Sequence, residues 1–112
     1  MSRTGVWRGY WKQRHLGQQP MHDVVLRFGG GTVSGEGRDC VGRFVFQGTC
    51  DAHGQVVMVK QYLGKHQVLY KGQYDGEGTL FGSWSIGPFE SGEFVLTMVR
   101  DQQPSDEIAE IL

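Results

Sequence analysis

Apolar and polar residues alternate along most of the chain, in short runs that end at glycine-bearing turns. The pattern is clearest between Gly42 and Ile86, where four such runs follow one another with only short turns between them. A period of two is typical of β-strands with one buried face, because successive side chains point to opposite sides of a strand. The pattern therefore predicts extended segments over this stretch.

The same alternation occurs before and after this stretch, so that about eight strands are predicted in total. Their predicted ranges are 5–14, 21–29, 32–39, 41–50, 55–63, 65–74, 78–86 and 89–100. The connections are short apart from a loop at 15–20, and no βαβ spacing occurs, so the strands should pair antiparallel. We therefore predict an all-β fold, an eight-stranded up-and-down antiparallel barrel whose closure removes exposed edges. A two-sheet sandwich is the alternative.

The last residues, DQQPSDEIAEIL, break the strand pattern. Ser105 is a suitable helix N-cap, and two acidic residues follow it in the first turn. The predicted organisation is a single barrel domain at 1–103 with a short C-terminal helix or tail at 104–112. Glycine supplies 18 of the 112 residues, about twice the usual ~7%, which suits the turns, bulges and corners of a barrel.

Charge and cysteine content narrow the function classes. The net charge is −1 without a long basic run, so no nucleic-acid partner is expected. No apolar segment reaches the ~18 residues of a membrane span, and no stretch resembles a signal peptide, so we expect no membrane partner and a cytoplasmic location. Cys40 and Cys50 are then reduced thiols, although a bridge between them stays open. The histidines show no metal spacing, and neither metal nor cofactor is expected.

The inner faces of the strands give a predicted interior. It comprises Trp7, Trp11, Leu26, Phe28, Phe44, Phe46, Met58, Lys60, Tyr62, His66, Val68, Tyr70, Leu80, Trp84 and Ile86, and His22 falls on the same face as Leu26. A lysine on an apolar face is costly unless it is paired. Lys60 therefore indicates a partner inside the barrel, either a ligand head-group or a carboxylate. The alternative is that the Lys60 side chain extends to the barrel mouth and that His66 lies in a turn there.

Two features near the chain ends carry a family resemblance. Gly5-Val6-Trp7 opens the first strand and Arg100 ends the last one. In this respect the chain resembles the calycin group, the lipocalins, fatty-acid-binding proteins and avidin-like barrels. The resemblance implies that Trp7 packs under Arg100 and closes one end of the barrel by a cation–π contact. The chain is shorter than a lipocalin and lacks the biotin-site pattern, so the resemblance implies an architecture and no particular ligand.

Three functions fit this prediction. The first is a protein that binds a small apolar or amphipathic molecule, aromatic or anionic, inside the barrel. The candidate ligand-binding residues are Lys60, Tyr62, His66, Tyr70, Trp84, Trp11, Phe44 and Phe46. A cavity of ~300 Å³ or more would favour this function, and a filled barrel would favour a scaffold.

The second is an interaction module that uses the C-terminal helix or the outward residues Val57, Val59 and Phe81, which could also form a homodimer. The third is a small cofactor-free enzyme, a cyclase or isomerase, with Lys60 and Tyr70 as acid and base.

Overall fold

The protein is a closed antiparallel β-barrel. A computed structural model describes residues 3–99 of the chain. The eight strands are β1 (Gly5–Gln13), β2 (Gly17–Gly29), β3 (Thr32–Arg38), β4 (Arg43–Cys50), β5 (Gln55–Tyr62), β6 (Gln67–Tyr74), β7 (Thr79–Ile86) and β8 (Glu90–Met98). Each strand pairs with the next, and β8 pairs with β1. The predicted all-β, up-and-down barrel is confirmed, and the sandwich is wrong.

The up-and-down order places alternate turns at opposite ends of the barrel. We call the end with the turns 14–16, 39–42, 63–66 and 87–89 the mouth end. The other end, which carries the turns 30–31, 51–54 and 75–78 together with Arg3, is the closed end. No helix among residues 3–99 is long and apolar enough to cross a membrane. Cys40 and Cys50 are both free thiols.

The interior agrees with most of the predicted inner face. Twelve of the fifteen predicted residues are buried, whereas Phe28 and Ile86 are only partly buried and His66 is exposed. His66 lies in the 63–66 turn at the mouth end, so its inward position was wrong and the alternative left open for it, a position in a turn at the barrel mouth, is correct. The structure adds to the core seven apolar residues outside that list, namely Met21, Val24, Val33, Cys50, Val56, Phe94 and Leu96.

The start of β2 differs from the prediction. The loop predicted at 15–20 is shorter, because β2 begins at Gly17 and Pro20 pairs with Tyr10 of β1. A register shift follows between His22 and Val25, where Asp23 has a φ of 54°. A bulge of this kind inserts one extra residue and changes which side chains face inward. Met21 and Val24 are consequently both buried and His22 is exposed, which corrects its predicted inward position.

The closed end is filled by aromatic rings and a guanidinium. Trp7 is buried, and its indole Nε1 donates to the backbone oxygen of Arg3 at 2.9 Å. Phe28 and Tyr74 pack on Trp7, and the Arg3 guanidinium lies 5.3 and 4.8 Å from their ring centroids. Arg100, the predicted partner of Trp7, and the helix predicted at 104–112 lie outside the described residues, so both stay predictions.

Candidate functional site

A buried ion pair lies inside the barrel near the mouth end. Lys60 points inward from β5 and is 1% exposed, and Asp39 begins the 39–42 turn. The Lys60 Nζ lies 2.7 Å from the Asp39 Oδ2, and neither side chain has appreciable contact with solvent. The sequence left open whether Lys60 faces a ligand, a carboxylate or the solvent. In the structure its partner is a carboxylate of the same chain.

The Asp39 carboxylate is fully engaged. Its Oδ2 accepts hydrogen bonds from Lys60, from the Tyr62 hydroxyl at 2.7 Å and from the Trp11 indole Nε1 at 3.1 Å. Its Oδ1 accepts the backbone N–H of Val41 at 2.9 Å, which fixes the 39–42 turn. These four donors compensate for the removal of a carboxylate from water.

The Lys60 ammonium is enclosed by aromatic rings as well as by polar atoms. Besides Asp39, it reaches the Tyr70 hydroxyl at 3.1 Å and the Met21 sulfur at 3.7 Å. The nearest ring centroid is that of Phe44, at 4.3 Å, and three more lie within 6 Å, those of Tyr62, Tyr70 and Trp11. Such ring faces attract a cation. The charge is therefore stabilised entirely by the protein.

Burial and pairing shift the ionisation of these groups. Desolvation lowers the pKa of Lys60 to about 8, although the Asp39 carboxylate opposes the shift. Desolvation pushes the pKa of Asp39 upward, but the Lys60 charge and the hydrogen bonds from Lys60, Tyr62 and Val41 outweigh it and leave that pKa below its ordinary value. Burial raises the pKa of Tyr62 and Tyr70. Near pH 7 the site therefore holds an ion pair and two neutral phenols.

A small cavity opens directly above this network at the mouth end. Its volume is about 150 Å³. The inner wall is mainly aromatic and aliphatic: Trp11, Tyr62, Val68, Tyr70, Trp84 and Ile86. Leu16, Val41 and His66 contribute from three of the four turns around the opening. Trp11 and Trp84 meet edge to face at 6.1 Å, and the Trp84 Nε1 is held by the backbone oxygen of Lys12 at 2.9 Å.

Tyr70 has a hydrogen-bonding capacity that its neighbours leave unused. It lines the cavity and is 1% exposed, and its hydroxyl oxygen accepts the Lys60 hydrogen bond. Among residues 3–99, no acceptor lies within hydrogen-bonding distance for the hydroxyl's own proton. The hydroxyl faces a cavity that opens at the barrel mouth, so either water or an acceptor on a bound molecule can take this proton.

The structure separates the sequence-predicted site residues into two groups. Five of them line the cavity, namely Trp11, Tyr62, His66, Tyr70 and Trp84. The other three, Lys60, Phe44 and Phe46, lie below it in the closed core, where the two phenylalanine rings meet edge to face at 5.1 Å beside the Lys60 side chain. No group of three or more metal-binding side chains occurs in the described part of the chain.

Sequence reasoning missed two residues that contact Lys60, Met21 and Asp39, and Asp39 is its charged partner. A signal for it existed, because Lys60 lies near the mouth end of β5 and a buried lysine requires a partner. The up-and-down order limits the acidic residues in or beside the mouth-end turns to Asp39 and Glu90. The geometry chooses between them, since Glu90 is exposed and accepts from Gln13.

Comparison with known proteins gives no family assignment. No model of a known protein family matches this chain, and no curated protein matches it significantly. The function is therefore inferred from the geometry of the mouth end.

Proposed function

We propose that the protein binds a small, mostly apolar molecule in the mouth-end cavity of a calycin-like barrel. The observation that carries the proposal is the apolar cavity of about 150 Å³, walled by Trp11, Trp84 and Tyr70, at one end of an otherwise filled barrel. The cavity does not reach the ~300 Å³ that was predicted for a ligand-binding barrel and is typical of ligand pockets, so a long acyl chain does not fit and only a smaller ligand is proposed. Dry apolar cavities of about 150 Å³ are known to take benzene. The proposed ligand therefore carries about one ring.

The free Tyr70 proton adds one polar requirement to this ligand. A hydrogen-bond acceptor placed at the cavity floor would satisfy it, and the Lys60 ammonium behind the hydroxyl makes Tyr70 a stronger donor. The Lys60 charge is already balanced by Asp39 at 2.7 Å. A neutral acceptor, such as a ketone or ether oxygen, therefore suits the site better than a carboxylate does.

The enzyme hypothesis receives less support from the geometry. Lys60 and Tyr70 lie 3.1 Å apart, close enough to exchange a proton. Lys60, however, is held by Asp39 and does not line the cavity. Binding without chemistry is the simpler use of this arrangement.

The proposal is tested by comparing acetophenone with isopropylbenzene, which replaces the carbonyl oxygen by a methyl group. Binding is measured by calorimetry and by tryptophan emission. We expect acetophenone to bind about tenfold more tightly, since one completed hydrogen bond contributes about 1 kcal/mol or more. Tyr70→Phe should remove this preference while isopropylbenzene still binds. Tyr10→Phe, on the outer wall, is the matched control and should retain the preference.

Two results would count against the proposed function. If neither compound binds the folded protein at millimolar concentration, the cavity is not a ligand site. If both bind but Tyr70→Phe changes nothing, the hydroxyl does not contact the ligand and the acceptor requirement is wrong.

A further inference from the structure

Apolar side chains surround the barrel mouth. Each of the four mouth-end turns carries one, and we call Leu16, Val41, Leu63 and Phe89 the rim. Phe89 is 92% exposed, Leu16 58% and Leu63 54%, while Val41 is partly buried beside the cavity. Single exposed apolar residues are ordinary, but three of them on turns around one opening, with Val41 beside the cavity, indicate an interaction surface.

The closed end shows the opposite character. Its turns, 30–31, 51–54 and 75–78, contain no large apolar residue. They carry three acidic residues instead, Asp51, Asp75 and Glu77. The rim is therefore a property of one end of the barrel and not of its turns in general.

The exposed charges at the mouth end are mostly basic. Arg14, Arg43 and Lys65 are exposed in or beside the mouth-end turns. The acidic residues there are Glu90 and Asp39, and Asp39 is buried against Lys60. The overall charge of −1 conceals this local excess of basic residues. The basic, apolar-tipped mouth end would orient the molecule at a negatively charged surface.

We propose that the mouth end docks on an anionic lipid bilayer, with the rim inserted between head-groups and Arg14, Arg43 and Lys65 in contact with them. The four tips come from separate turns around an opening, an arrangement that suits a soft and laterally uniform surface better than a single peptide. Basic residues beside apolar insertions are the combination that anionic membranes bind. The proposal departs from the expectation of no membrane partner, which considered only spans and net charge.

The test is sedimentation of the protein with vesicles of phosphatidylcholine alone or with about 30% phosphatidylserine. We expect binding to the anionic vesicles that weakens as salt increases. Leu63→Ser/Phe89→Ser should lower the partition coefficient about tenfold or more, because two exposed apolar side chains no longer insert. The matched control is Val57→Ser/Phe81→Ser, which removes apolar groups of 43% and 46% exposure from the barrel wall and should change binding less than twofold.

Two variants at the mouth end test whether the basic residues contribute to membrane binding. Arg14→Gln and Arg43→Gln should each weaken binding about fivefold, the effect of roughly one surface charge. Arg8→Gln and Lys71→Gln make the same charge change on exposed strand positions away from the mouth and should have little effect. Phe89→Trp should show a blue-shifted emission on anionic vesicles.

Several outcomes would overturn the docking proposal. The first is that the folded protein does not sediment with anionic vesicles, and the second is that it binds neutral vesicles equally well. The third is that the rim and wall variants lose vesicle binding to the same extent. Light scattering that shows self-association through the rim would also overturn it, because the patch would then be a protein interface. All of these measurements are made without a ligand, so their failure leaves the cavity proposal unaffected.

Discussion

Lys60 and Asp39 show how a charge can be kept inside a barrel of this size. Desolvation of each group costs several kcal/mol, and only close pairing with further hydrogen bonds offsets it. The 2.7 Å contact and the donors from Tyr62, Trp11 and Val41 meet this condition. The pair is therefore sensitive to the loss of one partner and much less sensitive to the loss of both.

Lys60→Met should lower the free energy of unfolding by about 3–5 kcal/mol, because it removes from the buried Asp39 carboxylate both its counter-charge and a hydrogen-bond donor that the neutral amine still provides above pH 8. The double variant Lys60→Met/Asp39→Asn should recover part of this loss, since the amide is neutral. Urea unfolding of the wild type, both single variants and the double variant measures the coupling. Additive losses in this cycle would show that the two groups do not act as a pair.

Alkaline pH should change stability through the same lysine. The pKa of Lys60 is about 8 in the folded protein, against about 10.4 in an unfolded chain. Between these values the unfolded state binds the additional proton. The free energy of unfolding should therefore rise with pH, by at most about 1.4 kcal/mol per pH unit. Above pH 10 it should fall again, because Tyr62 and Tyr70 have raised pKa values and ionise first when unfolded.

Urea unfolding between pH 7 and pH 11 tests this expectation, with Lys60→Met as the reference. The variant should lack the rise above pH 8 and keep the decrease above pH 10. Parallel curves for the two proteins would mean that the Lys60 pKa is not lowered by folding.

At the residue scale, the sequence predicts which side chains face the interior better than it predicts which groups they contact there. Alternation placed Lys60, Tyr62 and Tyr70 on one inner face, and they do lie together. It could not identify Asp39, because that residue sits in a turn where no periodicity applies. It could not show the unused Tyr70 proton either, because this depends on distances across several strands.

At the scale of single strands, inward-facing glycines permit the close approach of neighbours. A Cβ on Gly48 of β4 would lie 2.0 Å from the Val57 backbone oxygen and 2.4 Å from the Met58 Cα. No side chain fits there without displacement of β5, so the strand can coil only with glycine at this position. The high glycine content is thus partly a requirement of the barrel wall.

Gly48→Ala should lower the free energy of unfolding by about 2–3 kcal/mol or more, as overpacking against backbone does. Gly29→Ala, at the end of β2, is the matched control, because a Cβ there meets nothing within 4 Å and its φ is not in the left-handed region. The control should stay within about 0.5 kcal/mol of the wild type. Equal effects in thermal or urea unfolding would contradict the close-approach argument.

Element boundaries were predictable where turn chemistry is strong. The predicted segments 55–63 and 78–86 match β5 and β7 to within a residue at each end. The predicted start of β2 was wrong, because Pro20 favours a loop by propensity but pairs with Tyr10 in the barrel. The bulge at Asp23 was also missed, because tertiary pairing determines which residue takes the left-handed conformation.

At the scale of the whole molecule, closure and the difference between the two ends follow from one topology. Consecutive hairpins bring β8 back to β1, with Trp11 opposite Phe94. Alternate turns then gather at opposite ends, so that the closed end collects Trp7 and Arg3 while the mouth end collects Trp11, Trp84 and the rim. Strand count and order were predictable from the sequence, but which end is open depends on side-chain volumes that periodicity does not report.

The three tryptophans of the chain make the central claim directly measurable. Trp11 and Trp84 line the mouth-end cavity, and Trp7 is buried at the closed end. In ¹H–¹⁵N NMR spectra, titration with acetophenone should shift the indole N–H signals of Trp11 and Trp84 in a saturable manner and leave that of Trp7 in place. Absence of any shift up to millimolar ligand, or a shift of Trp7 as large as those of the other two, would contradict binding at the mouth end.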